Sequence, residues 1–202
     1  MKKILILFAH PRYEKSRANR ALLRGLDGLE AITIHDLYEE YPDFNIDVTR
    51  EQKLLRAHDL IVWHYPLYLY GAPAIIKQWM DLVLEHGWAH GEGGNQLIGK
   101  PIFNVITSGG TRASFSPDGF NRYPLAELLR PLEQATHLCR MRWLPPFAVQ
   151  GTYRLSDAQL ADYAARYRRL LTALDEATDV KPLGKFELLN DWVADLMRKE
   201  QP

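Results

Sequence analysis

Residues Leu60–Leu84, reading LIVWHYPLYLYGAPAIIKQWMDLVL, decide the fold. They begin with the continuous apolar run Leu60–Trp63, which is typical of a strand buried on both faces of a parallel sheet. Apolar residues then recur at helical spacing from Ile76 to Leu84, and Pro73 stands at the expected first helical position, where proline is well tolerated. The segment therefore predicts a buried strand, a loop and a helix with one apolar face.

The loop between this strand and this helix contains three tyrosines within Tyr65–Gly71. Large aromatic side chains in a loop are unfavourable in water unless they cover something flat and apolar. One interpretation is that they line a binding site. The alternative is that they only fill a gap between strand and helix, and the other loops of the chain bear on this choice.

The composition restricts the class of protein. The chain has 202 residues, enough for one globular domain that buries a core without disulfides or metals. Its 25 basic and 25 acidic side chains cancel, which argues against nucleic acid as a partner and against a strongly acidic electron carrier. The apolar run Ile4–Ala9 is too short for a signal peptide, and no segment approaches the roughly 20 apolar residues of a membrane span. We expect a cytoplasmic protein.

Five predicted strands alternate with helices. The strands are expected at 3–9, 31–35, from 60, 102–107 and 141–149, the last at an edge because Pro145-Pro146 interrupts it. Helices are expected to end at Gly28, to be capped by Thr49, to run over 124–138 and to begin at Ser156. This pattern predicts an α/β three-layer fold, flavodoxin-like, with a five-stranded parallel sheet in the order 2-1-3-4-5 and helices on both faces.

The tail differs in character from the rest. Residues 1–178 are expected to form one flavodoxin-like domain and residues 179–202 a C-terminal helical extension. Pro182 and Gly184 suggest a hinge. The apolar stripe that follows is expected to dock on its own domain or on a second subunit rather than on a membrane, because the flanking charges are mixed. The stripe consists of Leu189, Trp192, Val193, Leu196 and Met197.

Ligands of such a sheet bind at the carboxyl ends of the strands, between strands one and three. Ser16–Asn19 lies at a helix start after strand one, where N–H groups and the helix dipole favour a phosphate, although Ser16 could serve only as a cap. No GxGxxG follows that strand, which argues against a dinucleotide held in the Rossmann manner. Thr107–Gly110, after strand four, lets the backbone approach a ligand. A phosphate site, an aromatic wall and a close-approach loop suit FMN best, with FAD less favoured.

At these residues the sequence resembles the flavodoxin-like NAD(P)H:quinone oxidoreductases, and among them the ancillary proteins of the glutathione-gated Kef potassium-efflux systems. The resemblance covers nearly everything up to about Thr178, and the tail lies outside it. The matching pieces are FAHP at 8–11, SRAN at 16–19, HDLYEEYPDFNID at 35–47, the segment 60–81, GGNQLIGK at 93–100, TSGG at 107–110 and the segment 121–147.

The resemblance implies an FMN-dependent enzyme that transfers a hydride from NAD(P)H through the flavin to a quinone in two ping-pong half-reactions. It also implies a homodimer with the flavin near the subunit interface. An alternative is a flavin-binding regulatory subunit on the cytoplasmic face of a Kef-type potassium/proton antiporter. The implied cofactor-binding residues are His10, Ser16, Arg17, Ala18, Asn19, Pro66, Leu67, Tyr68, Leu69, Tyr70, Thr107, Ser108, Gly109 and Gly110.

One departure from the family concerns proton transfer. Better-studied quinone reductases of this superfamily carry a tyrosine and a histidine in the loop after strand four, and here Thr111–Phe120 has neither. The candidates left are water, Tyr68, Tyr70, His86 and His90, unless turnover is slow and the role regulatory.

His86 and His90 have the spacing of a helical zinc pair, but the neighbouring glycines argue against a helix and we expect no metal. The remaining alternatives are that these two histidines line the rim of a pocket or that they are ordinary surface residues. The choice between NADH and NADPH stays open.

Overall fold

The structure is a computed structural model and describes residues 1–177 and 179–200, so the predicted domain boundary at residue 178 lies outside the described residues. Its strands pair in the order β2-β1-β3-β4-β5, as predicted, and all pairs are parallel. A sixth strand, β6, also pairs with β4. The strands are β1 Ile4–Phe8, β2 Ile32–Asp36, β3 Leu60–Pro66, β4 Pro101–Ser108, β5 Arg142–Trp143 and β6 Phe147–Gln150.

The predicted fifth strand is broken in two by Pro145-Pro146. The first piece, β5, aligns with the start of β4, where Ile102 faces Trp143. The second piece, β6, aligns with the end of β4, where Ser108 faces Gln150. Proline cannot donate to a sheet ladder, so two in succession interrupt the pairing but are tolerated at an edge.

Helices cover both faces of the sheet. One apolar core lies between the sheet and α2, α3, α4, α5 and α6, and includes Trp63 and Trp79. The other lies between the sheet and α1, α7 and α8, and includes Phe8 and Tyr167. The helices are α1 Arg17–Arg24, α2 Leu37–Glu40, α3 Val48–Ala57, α4 Ala74–Val83, α5 Leu125–Leu128, α6 Arg130–Leu138, α7 Asp157–Glu176 and α8 Leu189–Lys199.

Several helix ends differ from the expected positions. Asp47 caps α3 in place of Thr49, with its carboxylate accepting from the backbone N–H of Arg50 at 3.0 Å. A carboxylate also gains from the helix dipole at this end, which a threonine does not. Pro73 is the N-cap of α4 rather than its first residue. The helix expected over 124–138 breaks at Leu129, because Pro131 supplies no N–H to the turn before it.

The first helix is shorter than expected. It ends at Arg24 and not at Gly28. Gly25 follows at a point of close contact with α7, where an added Cβ would lie 2.9 Å from Ala164 Cβ. The lack of a side chain at Gly25 therefore allows the end of α1 to pack closely against α7.

The tail helix α8 packs on the domain. Leu189 and Val193 are fully buried in the core that α1 and α7 share. The Leu189 backbone N–H donates to Pro146 O at 2.9 Å, so the helix is also tied to the edge of the sheet. In the part of the chain that the structure describes, no helix is both long and apolar enough to span a membrane.

Candidate functional site

A cavity of about 410 Å³ lies at the carboxyl ends of β1, β3 and β4. Four loops surround it, those after β1, β3, β4 and β6, because parallel strands all end at one edge of the sheet. The cavity is lined by His10, Arg12, Lys15, Ser16, Arg17, Ala18, Asn19, Pro66, Leu67, Tyr68, Thr107, Ser108, Gly109, Thr152 and Tyr153.

One wall of this cavity is the start of α1. The Ser16 hydroxyl caps the helix by accepting from the backbone N–H of Asn19 at 3.2 Å. The N–H groups of Arg17 and Ala18, in the first helical turn, have no carbonyl within the helix to bond to. Together with the helix dipole and the cationic side chains of Arg12 and Lys15, they make this wall suitable for a phosphate.

A buried hydrogen-bond network lies beneath this wall. Asn19 is almost inaccessible, and its amide nitrogen donates to Ser16 Oγ at 2.8 Å and to Thr107 Oγ1 at 3.0 Å. Its oxygen lies 3.0 Å from His64 Nε2. Since this oxygen can only accept, the His64 proton is on Nε2. One amide thus joins α1 to both β3 and β4.

The two histidines near this network are neutral at physiological pH. Burial lowers the pKa of His64 to about 3, with a further contribution from the nearby His10. Burial also lowers the pKa of His10, against the attraction of Glu14. The His10 ring is held in place, because Nδ1 accepts from the Arg12 backbone N–H at 3.0 Å and Nε2 lies 3.4 Å from the Tyr68 hydroxyl.

A second cavity, of about 470 Å³, adjoins the first and shares Leu67, Ser108 and Gly109 with it. It is more apolar in character, since two phenylalanines and Tyr70 contribute to its lining. The full lining is Leu67, Leu69, Tyr70, Ser108, Gly109, Gly110, Thr111, Ser114, Phe115, Phe120, Asn121 and Arg154. The pair of cavities therefore changes from cationic at one end to aromatic at the other.

The tyrosine loop has an unusual backbone. Leu69 and Tyr70 have φ values of 44° and 67°, a region that residues with a side chain rarely adopt. Backbone hydrogen bonds between Tyr68 and Gly71, each 3.0 Å, close the turn. The Leu69 side chain is 96% exposed. Such strain in a loop that also exposes apolar residues is characteristic of binding sites.

The loop after β4 leaves donors free. Gly109 and Gly110 have no hydrogen-bond partner for their backbone N–H groups among the described residues. A side chain would crowd its neighbours at both positions, because an added Cβ would lie 2.6 Å from Tyr153 Cε2 at Gly109 and 2.8 Å from Ser114 Oγ at Gly110, so these neighbours would have to shift. A polar ring edge could therefore approach the backbone here and accept from both N–H groups.

All fourteen cofactor-binding residues that the family resemblance implies line one of the two cavities. The structure places Tyr68 and Tyr70 there too, but not His86 and His90. Those two lie in the segment between α4 and β4, near the starts of the strands, where the Lys100 ammonium donates to His58 O. Their rings contact each other, with centroids 5.7 Å apart.

Sequence reasoning missed three groups of lining residues. Arg12 and Lys15 stand in the loop after β1 that was already assigned to the site, so their charge was available as a signal. Residues 152–154 follow β6, and their involvement follows from the rule that every parallel strand ends at the same edge. The third group lies in the loop after β4 and gave no comparable signal: Thr111, Ser114, Phe115, Phe120 and Asn121.

Metal binding and cysteine chemistry find no support in the part of the chain that the structure describes. Within residues 1–177 and 179–200, no group of three or more histidine, cysteine or acidic side chains could hold a metal ion. Cys139 is buried and unbridged, and burial raises the pKa of its thiol to about 11. A thiol with so high a pKa is a poor nucleophile at neutral pH.

The two ends of the paired cavities fit FMN. A phosphate suits the first turn of α1, and a flat ring with polar edges suits the space between the tyrosine loop and the free N–H groups of Gly109 and Gly110. The shared residues Leu67 and Ser108 connect these ends.

Comparisons with known proteins agree with this geometry. A family described by its flavodoxin-like fold matches residues 2–171. The glutathione-regulated potassium-efflux system ancillary protein KefG of Shigella flexneri is 49% identical over 165 residues, which is 82% of this chain and 90% of that protein.

Two solved structures are also similar. The general stress protein 14 of Treponema denticola, in complex with FMN, is 35% identical with a TM-score of 0.80, covering 86% of this chain and 98% of that one. An NADPH-quinone reductase from P. pentosaceus is 29% identical with a TM-score of 0.76, covering 83% and 96%. The chain therefore belongs to the family with a flavodoxin-like fold, and within it to the relatives of the ancillary proteins of glutathione-regulated potassium-efflux systems.

Proposed function

We propose that the protein is an FMN-dependent NAD(P)H:quinone oxidoreductase. The observation that carries the proposal is the pair of adjoining cavities, one cationic and built on a helix start, the other aromatic and bordered by free backbone N–H groups. Bound flavin would supply the redox chemistry, accepting a hydride from a nicotinamide and passing two electrons to a quinone. The chain itself binds, orients and tunes that group.

The phosphate would be held by the first turn of α1. Ser16 Oγ and the N–H groups of Arg17 and Ala18 are the neutral donors, and Arg12 and Lys15 add positive charge at the cavity mouth. Arg17 contributes less charge, because its guanidinium lies 2.5 Å from an Asp157 carboxylate oxygen. The Asn19 network would fix the helix start relative to β4 when the phosphate binds.

The ring would lie against the tyrosine loop. Tyr68 and Tyr70 are about half exposed, so each offers part of its aromatic surface to a ligand. The N–H groups of Gly109 and Gly110 would donate to a polar ring edge, and donors at that edge stabilise the negative charge that reduction brings. This assigns electronic tuning to the loop after β4.

Tyr68 is the best placed group for moving a proton. Its hydroxyl lies 3.4 Å from His10 Nε2 and opens onto the first cavity. Its pKa is raised by burial and by the nearby Tyr153, and Arg12 opposes this shift, so the hydroxyl stays protonated at neutral pH. His86 and His90 lie at the other end of the sheet within this chain, which favours Tyr68 over them.

We also propose that a second copy covers the cavity mouth, which places the flavin near the subunit interface of a homodimer. Three large apolar side chains around the mouth are exposed almost completely: Leu69 at 96%, Phe120 at 88% and Tyr153 at 89%. Exposed apolar groups gathered around one opening are a feature of interaction sites. Sedimentation of the flavin-loaded protein tests this, and a monomer at micromolar concentration would contradict it.

A second candidate function is a regulatory flavoprotein that docks on the cytoplasmic face of a Kef-type antiporter. Two observations favour it: the 49% identity to KefG and the absence of tyrosine and histidine from Thr111–Phe120. The two functions are compatible in one protein. In either case we propose a cytoplasmic location, at the inner face of the membrane only through the partner.

The test is an absorbance spectrum after the protein has been mixed with FMN and the excess removed, followed by anaerobic NADPH or NADH and then a simple quinone. Retained flavin bands that bleach with a nicotinamide and return with the quinone are expected for the enzyme. Retained flavin that neither nicotinamide bleaches would favour the regulatory function. Failure to retain flavin would refute both.

A further inference from the structure

The tail segment, residues 179–200, contacts a loop of the candidate site directly. The guanidinium of Arg112 lies 2.6 Å from Glu187 Oε2. It also forms two hydrogen bonds with Asp191, at 2.8 Å and 2.9 Å, in a fork geometry. Arg112 therefore joins the tail to the turn that follows β4.

From Arg112 the contacts continue into the second cavity. Arg112 begins a short 3₁₀ turn that ends at Ser114, and the Ser114 hydroxyl donates to Thr111 O at 2.7 Å. The Asn121 amide donates to Ser114 Oγ at 3.1 Å and accepts from the Tyr70 hydroxyl at 3.3 Å. Thr111, Ser114, Asn121 and Tyr70 all line the second cavity. A continuous path thus leads from the tail to the tyrosine wall.

The tail is a fixed support for this path. Asn190 forms two hydrogen bonds with Ala148 of β6, donating to its carbonyl at 3.0 Å and accepting from its N–H at 2.8 Å. Leu189 and Val193 on either side are fully buried. The amide takes the place of a neighbouring strand at the exposed edge of β6, and β6 leads to the lining residues 152–154.

We propose that the tail segment positions the cofactor-site loop 109–121, with Arg112 as the positioning residue. It thereby sets the affinity of the second cavity for the flavin ring and for the electron acceptor that follows the nicotinamide. This inference rests on the proposed function for the identity of the ligand, and on the geometry alone for the support of the loop.

Because this ion cluster is exposed, its effect on the loop can be distinguished from an effect on overall stability. The side chains of Arg112, Glu187 and Asp191 are each about 40–60% exposed, and exposed pairs contribute little to the free energy of unfolding. The effect is therefore expected in the position and mobility of the loop rather than in overall stability. A guanidinium is needed for the fork, because lysine supplies charge without that geometry.

The chain offers a matched control. Arg169 of α7, whose side chain is 26% exposed, and the half-exposed Glu200 at the end of α8 form another tail ion pair, at 2.5 Å, which touches neither cavity. The variants are R112Q, R112K, the double variant E187Q/D191N, and E200Q as control. Two quantities are measured for each: hydrogen exchange of peptides covering 109–122 in the flavin-free protein, and FMN affinity by fluorescence titration.

We expect faster exchange and about fivefold weaker FMN binding in R112Q and E187Q/D191N, with R112K between them and the wild type. E200Q is expected to match the wild type in both, and the thermal midpoint is expected to change little in all four variants. Unchanged exchange of 109–122 in R112Q, or an equal effect in E200Q, would overturn the inference. If the wild type binds no FMN, the proposed function fails, and the exchange measurement still decides whether the tail positions the loop.

Discussion

Asn19 Nδ2 lies 3.0 Å from Thr107 Oγ1, so the amide of a helix start is bonded to the hydroxyl near the end of a central strand. The same side chain accepts from His64. In the substitution N19A, the His64 N–H loses its acceptor inside the protein, and a buried donor without a partner costs about 1–3 kcal/mol. We expect the free energy of unfolding to fall by that amount in urea titrations.

FMN binding is expected to weaken in N19A as well, because the start of α1 loses its bond to β4. The exposed Asn95 provides the control, since exposed substitutions away from such networks change stability by about 0.5 kcal/mol or less. An N19A protein as stable as N95A would show that the network adds nothing to folding.

Gly110 tests the close approach of the loop after β4. In G110A the new Cβ would lie 2.8 Å from Ser114 Oγ and 2.9 Å from Phe115 Cε2, so these two side chains, which line the second cavity, have to shift. We expect FMN affinity to fall about tenfold, equivalent to about 1.4 kcal/mol. At Gly184 a Cβ meets no atom within 4 Å, and G184A should bind FMN like the wild type. Equal affinities for the two variants would contradict this account.

Tyr68 separates aromatic surface from hydroxyl chemistry. Y68F keeps the ring and should bind FMN normally, whereas Y68A loses about 1 kcal/mol of aromatic contact and should bind about fivefold more weakly. If the hydroxyl moves a proton, Y68F should lower the rate of quinone reduction without changing its KM. Steady-state kinetics at several pH values measure this, and an unchanged rate in Y68F would transfer the role to solvent.

Glu51 is a buried carboxylate away from the cavities, and it makes folding pH-dependent. It accepts from His35 at 2.7 Å, Tyr41 at 2.6 Å and Trp79 at 2.7 Å. Burial by itself would raise its pKa, but these hydrogen bonds together outweigh burial and lower it. The stabilisation is thus complete above the unfolded value of about 4.3 and is lost as the pH falls through the folded pKa.

We expect E51Q to lose about 2–4 kcal/mol of unfolding free energy at pH 7, because three buried donors lose a charged acceptor. It should also lose less of its remaining stability than the wild type between pH 5 and 3. Urea midpoints across this range measure both effects, with the exposed Glu92 as control in E92Q. Parallel pH curves for wild type and E51Q would be inconsistent with a lowered pKa.

The sheet could be predicted because its signals are local. The apolar runs of β1 and β3 and the alternation of strands with helices indicate a doubly wound parallel sheet, and Pro145-Pro146 marks the edge in the sequence itself. The choice of Asp47 over Thr49 as helix cap could not be read in the same way, because both residue types are good caps two positions apart.

The site was less accessible to sequence reasoning, because it depends on contacts between distant residues. His64 reads as part of an apolar strand, and only the fold shows that it faces Asn19, 45 residues earlier. The bond between Arg112 and Asp191 spans 79 residues, and neither end has a distinctive neighbourhood. The glycines after β4 and the tyrosines after β3, by contrast, can be recognised from the local sequence alone. They indicate an unusual backbone and exposed aromatic surface.

The lining of the two cavities is drawn from residues 10 to 154, in loops that follow four different strands. A nascent chain that has emerged only as far as β3 contains the start of α1, which would hold the phosphate. It still lacks Thr107, Gly109 and Gly110, so the cavities are incomplete. Uptake of the proposed FMN would therefore come late in biogenesis, after the sheet is complete. If FMN binds as proposed, its retention in cells would report folding at least as far as residue 154, and products truncated before β6 would be expected to stay colourless.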